Sequence, residues 1–242
     1  MRRFTLPPDR LVAGRVTFDA GESRHLSRVL RLQPGDTVIA TDGAGRDYTV
    51  RLESVGETAT GTVIAEAAGV PESPLAITLV QGVPKGDKME AIVRAATELG
   101  VARVRPALCE RTIVRLEPAR WRDRARRWQR VAREAAKQSG RAVVPEVEMP
   151  RPLSDCLGPS ADLALCLWEG GGEPLGSVLS AAGAPGTAMV IVGPEGGLAR
   201  AEVDGVQAAG VTVVSLGPRI LRTETAGPAI VAILQSRLGD LR

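Results

Sequence analysis

Two polar, glycine-bearing stretches are the places where this chain could do chemistry: "GPEGGLARAE" (193–202) and "LGPRILRTETA" (216–226). A third, "GVPKGDKME" (82–90), is of the same kind. Each follows a short apolar run, and glycine there lets backbone approach a ligand closely. The familiar catalytic and nucleotide-binding patterns are missing. There is no GxxxxGK[ST] phosphate loop and no GxGxxG after a strand, and the glycines of "EGGGEPLG" (169–176) have the wrong spacing. This argues against P-loop enzymes, a standard dinucleotide site and the usual glycine loop of Rossmann-like methyltransferases. His25 is the sole histidine, which speaks against a Ser-His-Asp hydrolase and a histidine-rich metal centre. Cys109, Cys156 and Cys166 form no CxxC pair. Three small core residues are expected of them, with no metal and no disulfide framework.

The elements that must position these stretches change character near residue 70. Before it, short β-like runs (2–6, 15–18, 36–41, 46–55 and 58–65) are separated by turn signals such as Pro34-Gly35 and Asp42-Gly43. One helical stretch, 22–32, interrupts them, and a small β-barrel of about seventy residues is expected. "GVPESP" (69–74) reads as a boundary. After it strands and helices alternate. Strands are expected at 75–81, 101–107, 163–168, 188–192 and 211–215, and helices after Asp87 and over 121–139, 174–182, 199–209 and 228–238. Asp87 with Glu90 three positions on has the form of a capping box. Continuous apolar strands between helices are the mark of a parallel α/β sheet buried on both faces. Ligands of such sheets sit at the carboxyl ends of the strands, where all three polar stretches fall. A pocket is therefore expected there.

With 44% hydrophobic residues the chain can bury a real core, and its net charge is only +3. The basic residues are uneven, however. Arg2, Arg10, Arg24, Arg28 and Arg31 crowd the start, and a second run extends from Arg120 to Lys137. Two such clusters suit a phosphate backbone. At 2% aromatic, stacking of bases on an aromatic platform is a poor fit. No apolar run reaches transmembrane length, the start lacks the apolar stretch of a signal peptide, and the cysteine usage makes a reducing cytoplasm the expectation.

Taken together, "HLSRVLRLQPGD" (25–36), "KGDKMEAIVRAATELGV" (85–101), "QSGR" (138–141), "GPEGGL" (193–198) and "LGPRILRTETA" (216–226) carry a specific resemblance. The chain resembles the ribosomal RNA small-subunit methyltransferase E family, part of the SPOUT superfamily. The segments run in the family's order and span nearly the whole chain. Gly227-Pro228 departs from the larger apolar residues that other members carry there, at a point where a first-turn proline is tolerated.

The resemblance implies residues 1–70 as a PUA-like RNA-binding β-barrel and 74–242 as a trefoil-knotted parallel α/β methyltransferase domain that dimerises through the knot. It implies S-adenosylmethionine (SAM) as cofactor, small-subunit ribosomal RNA as partner, and methylation of a uridine at N3. Gly193, Glu195, Gly196, Gly197 and Leu198 from one loop, and Leu216, Gly217, Ile220, Leu221 and Thr223 from the other, are then the expected cofactor residues. Arg219, Arg222 and Glu224 are the expected catalytic ones. Uridine N3 must lose its proton to become a nucleophile. An arginine can stabilise the negative charge this leaves on O2 and O4, and Glu195 or Glu224 could take the proton. Arg222 and Glu224 are equally suited to pairing with each other as structure. RNA contacts are expected from Arg2, Arg10, Arg24, His25, Arg28, Arg31, Lys85 and Lys88. Two other readings remain open: a SPOUT methyltransferase for another RNA or base position, and a non-catalytic RNA-binding ribosome-assembly factor.

Overall fold

The computed structural model describes residues 2–158 and 161–241, which divide into two units. One takes the chain up to Glu72 together with Arg133–Val144, and the other takes Ser73–Ala132 and the chain from Pro145 onward.

The first unit is built on a six-stranded sheet in the order Arg3–Thr5, Thr37–Thr41, Arg46–Ser54, Thr60–Ala68, Arg15–Thr17, Leu11–Val12. The first pair is parallel and the others are antiparallel. Tyr48, Val50 and Leu52 are buried at alternate positions, as the period of a strand with one covered face requires. They pack with Phe4, Phe18 and Leu26 in one core. Register shifts between Thr49 and Val50 and between Leu52 and Ser54 bend the sheet. Gly61 lies inside that bend, where a Cβ would stand 2.5 Å from the Arg51 carbonyl oxygen. The helix expected over 22–32 is shorter and irregular. It runs over Ala20–Arg24, capped by Asp19, whose carboxylate accepts from the Glu22 N–H at 2.8 Å. It then widens into a π-turn at His25–Val29, closed by Leu30 N–H on the His25 carbonyl. Arg31, at φ 53°, ends it.

The second unit carries an eight-stranded sheet. Its order is Arg151–Pro152, Arg103–Leu108, Ala76–Gly82, Thr187–Val192, Leu163–Leu167, Thr212–Ser215, Glu173–Pro174, with Glu146–Val147 also paired to Arg103–Leu108. Every pairing in it is parallel. Its central strands are the continuous apolar runs of the sequence, covered by helices. Lys88–Glu98 buries Met89, Ile92, Val93 and Ala96, one stripe at helical spacing. The last helix, Thr223–Leu238, packs on Lys88–Glu98 and on the strands Ala76–Gly82 and Thr187–Val192.

Two local expectations fail. Asp87 sits at φ −97°, ψ 5° and its side chain makes no capping bond, because an N-cap acceptor needs an extended backbone. Glu90 turns instead to Arg127, 2.7 Å from its Nε. The last helix begins at Thr223 rather than Pro228, which places Pro228 inside it. The proline therefore removes an interior backbone hydrogen bond to the carbonyl of Glu224. The early start follows from the capture of Thr223 by the neighbouring loop.

Candidate functional site

Loops leaving Leu163–Leu167, Thr187–Val192 and Thr212–Ser215 at their carboxyl ends enclose a pocket of about 650 Å³, completed by Lys88. Its shape comes from backbone. Gly82 lets the 193–197 loop cross the end of its strand, since a Cβ there would meet Pro194 N at 2.5 Å. The loop then folds back on itself, with Gly197 N–H donating to the Pro194 carbonyl at 2.9 Å and Gly197 at φ 69°. Beneath it lies a buried, uncharged network. Thr223 Oγ1 donates to the Gly193 carbonyl at 2.7 Å, and Gln81 Nε2 donates to Thr223 Oγ1 at 2.9 Å and to the Gly82 carbonyl at 3.1 Å. Gly227 allows the last helix to sit on Gln81, whose Oε1 would be 2.8 Å from a Cβ. The three polar stretches of the sequence are thus tied into one edge.

A charged cluster stands at the pocket wall. Lys88 Nζ lies 3.2 Å from Glu195 and 3.3 Å from Glu224. Glu195 also accepts from the Lys85 backbone N–H, at 3.2 and 3.3 Å. The hydrogen bond to Glu195, with Glu224 adding to it, holds the lysine above its ordinary range. Glu224 is held below the ordinary carboxylate range, first by its own backbone N–H and then by Lys88 and Arg222. Arg219 and Arg222 are exposed at the rim and make no ion pair among the described residues. The alternative pairing of Arg222 with Glu224 is therefore not formed; Lys88 takes the carboxylate.

Two matches decide the kinship. The family pattern of the RNA methyltransferase domain covers residues 71–235, and that of the RNA methyltransferase PUA domain covers 18–60. The chain is 34% identical over 240 residues to the ribosomal RNA small subunit methyltransferase E of Synechocystis sp., covering 98% of this chain and 78% of that one. It belongs to the ribosomal RNA small subunit methyltransferase E family. The Bacillus subtilis member is 32% identical, with 85% of this chain and 83% of the relative covered. The crystal structure of the Neisseria gonorrhoeae member bound to S-adenosyl methionine superposes with a TM-score of 0.90 at 35% identity, over 100% of both chains. The mixed α/β architecture, with a PUA-like domain at the N-terminus, is that of the family.

Within this family framework, the residues expected at the cofactor line the pocket, with one exception. Leu198 is turned away into the core beside Ile191 and Val203, because the chain has already left the pocket edge to start the helix Arg200–Ala208. Arg219, Arg222 and Glu224 also line the pocket. Lys88, expected among the RNA contacts, is part of the pocket wall. Trp168, Glu169 and Gly171 line it as well, and the sequence reading missed them. "EGGGEPLG" matches no phosphate, dinucleotide or Rossmann glycine pattern, yet it too follows a strand end. That position was the available signal. Among the described residues no group of three or more His, Cys, Asp or Glu is placed to hold a metal.

The first unit has its own hollow of about 420 Å³, lined by Arg2, Arg3, Phe4, His25, Lys137 and Ser139 among others. Arg10, Arg24, Arg28 and Arg31 are exposed. Lys137, counted with the second basic run, is not available to phosphate. It is buried, and donates to both oxygens of Glu22 at 2.8 Å. No helix among the described residues is long and apolar enough to cross a membrane.

Proposed function

We propose that this protein transfers the methyl group of SAM to N3 of a uridine in small-subunit ribosomal RNA. The observation that carries the reading is the pocket at the carboxyl edge of the parallel sheet, shaped by "GPEGG" and "LRTET" in a chain of this family. Its fit to SAM is physical. A volume of about 650 Å³ lies within the roughly 300–1,000 Å³ of small-molecule sites. Gly193 and Gly197 present bare backbone, Leu216, Ile220 and Leu221 offer apolar contact, and a few polar groups are fixed around them. SAM, when bound there, supplies an electrophilic methyl group.

The chain's own residues do the rest. Arg219 and Arg222, free of carboxylate partners among the described residues, are placed to donate to O2 and O4 of a uracil as negative charge develops on it. Glu224 is a weak proton acceptor, since its carboxyl is held low and is already turned to Lys88. The reading therefore puts charge stabilisation by arginine ahead of proton removal by a carboxylate. Lys88 orients Glu195 and Glu224 and keeps the wall of the pocket in register. Alignment of N3 with the methyl group supplies much of the remaining rate.

RNA docking belongs, in this reading, to the PUA-like part, residues 1–70, through Arg2, Arg10, Arg24, His25, Arg28 and Arg31, with Lys85 near the pocket. The methyltransferase domain takes residues 74–242, apart from Arg133–Val144, which belongs to the first unit. The trefoil knot rests on kinship. Thr212–Ser215 lies beside Leu163–Leu167, and the helix that follows returns over Thr187–Val192 and Ala76–Gly82. A homodimer rests on kinship. Ile230, Val231 and Leu234 are already buried within the chain, which leaves Ile233 as the exposed apolar residue of that helix. Sedimentation at micromolar concentration checks the dimer.

The test of function is methyl transfer from isotopically labelled SAM to small subunits from a strain lacking the gene, with mass spectrometry of the ribosomal RNA. One new N3-methyluridine is expected. Label at another position or in transfer RNA would move the substrate, and SAM binding without transfer would reduce the protein to an assembly factor.

A further inference from the structure

The pocket holds three carboxylates, and two of them share Lys88. The third, Glu169, stands on the loop after Leu163–Leu167 and makes no hydrogen bond or ion pair among the described residues. Its place is nonetheless fixed. The carboxylate lies against the Cα of Gly197, so closely that a Cβ on Gly197 would overlap Glu169 Oε1. Its loop is anchored on both sides: Gly170 fits against the Trp168 ring with no room for a side chain, and Gly172 sits 2.7 Å, measured from a Cβ, from the Val213 carbonyl oxygen. The nearby Arg200 does not neutralise it. That guanidinium lies over the Trp168 ring, 5.2 Å from its centroid, and donates to Asp204 at 2.8 Å.

A carboxylate held against the backbone of a ligand pocket, with no hydrogen bond or ion pair among the described residues and with Arg200 engaged by Asp204 and Trp168, is a receptor for positive charge. We propose that Glu169 takes a cationic group of the cofactor, and so favours SAM binding through charge rather than shape. This rests on the reading of the pocket as a SAM site. SAM carries two cationic groups, the sulfonium and the α-ammonium, and both offer the chemistry that Glu169 lacks a partner for. The glycine at position 197 then has a second role besides its left-handed backbone: it leaves room for the carboxylate to reach the pocket.

The experiment is calorimetric titration of the full chain and of Glu169→Gln and Glu169→Asp with three ligands. These are SAM, S-adenosylhomocysteine, which lacks the sulfonium charge, and 5′-methylthioadenosine, which lacks both charges. Glu169→Gln should weaken SAM about tenfold or more, the scale of a lost charge-assisted contact, and leave methylthioadenosine unchanged. Glu169→Asp, which keeps the charge, should recover part of the loss. Equal losses for SAM and S-adenosylhomocysteine assign the ammonium, and a loss confined to SAM assigns the sulfonium. Unchanged SAM affinity in a folded Glu169→Gln protein, or an equal loss for methylthioadenosine, overturns the proposal. Absence of SAM binding in the wild-type chain overturns the function itself, which keeps the two failures apart.

Discussion

Lys137 and Lys88 each bridge carboxylates, one in each unit of the molecule, and they differ in burial. The side chains of Lys137 and Glu22 are 5% and 8% exposed, and both carboxylate oxygens accept from the ammonium at 2.8 Å. Glu22 also accepts from the Thr5 backbone N–H at 3.1 Å. Lys88 is 29% exposed, its partners 22% and 27%, and its contacts are longer. A buried pair is fully committed, since either charge left alone in the interior is costly. A half-exposed cluster can exchange a partner for water or for ligand at little cost. The same residue types therefore serve structure in one place and a site in the other. Burial distinguishes the two, and residue identity does not.

The largest expected effect breaks the buried pair. Lys137→Met leaves Glu22 uncompensated and should cost about 3–5 kcal/mol, while Lys137→Met with Glu22→Gln should recover much of it. Denaturant melts of the three proteins measure this. SAM affinity should not change, because neither residue lines the methyltransferase pocket. A single variant as stable as wild type would put the pair in the class of Lys88.

Next in size are the rim arginines, which should cost rate and spare stability. Arg219→Ala and Arg222→Ala should each lower single-turnover methyl transfer about a hundredfold, with melting curves and SAM affinity close to wild type. Loss of affinity matching the loss of rate would make them binding residues instead. Gly197→Ala acts through backbone. Its φ of 69° and the Glu169 carboxylate both oppose a side chain. The variant should lose roughly 1–3 kcal/mol of stability and its calorimetric SAM signal, while still melting cooperatively.

The contrast between the lysines also shows what the sequence made legible. Apolar periodicity located the strands and most helices, because burial on a sheet or a helix face leaves a pattern in one dimension. The strand-end rule and the two motifs placed Gly193–Gly197 and Leu216–Glu224 correctly at one edge. Partnership was not legible. Nothing in the spacing of Lys137 and Glu22, 115 positions apart, or of Lys88 and Glu224 marks a pair. Arg222 and Glu224 look matched only because they are neighbours in sequence, and as the N-cap and second residue of a helix they do not face each other. Glu169 was missed for the same reason: its meaning lies in its contact with Gly197, 28 positions later.

The smallest effect, and the sharpest on the difference between the lysines, is a pH dependence. Lys88 is raised, so its contribution is full below the ordinary lysine range and fades as pH rises through the raised value. Glu224 is lowered, so its contribution is full above the ordinary carboxylate range and fades as pH falls through the depressed value. Lys88→Met should therefore melt slightly below wild type by a constant margin between about pH 6 and pH 9, well inside the ordinary ranges of both groups. The margin should narrow as pH falls below the ordinary carboxylate range through the depressed Glu224 value, and again as pH rises above the ordinary lysine range through the raised Lys88 value. Melting curves of both proteins across that span measure it. A margin as large as that of Lys137→Met at pH 7 would mean that the pocket cluster is structural after all. No margin at any pH, with SAM affinity intact, would mean that Glu195 and Glu224 keep their places through backbone alone, Glu195 on the Lys85 N–H and Glu224 on its own.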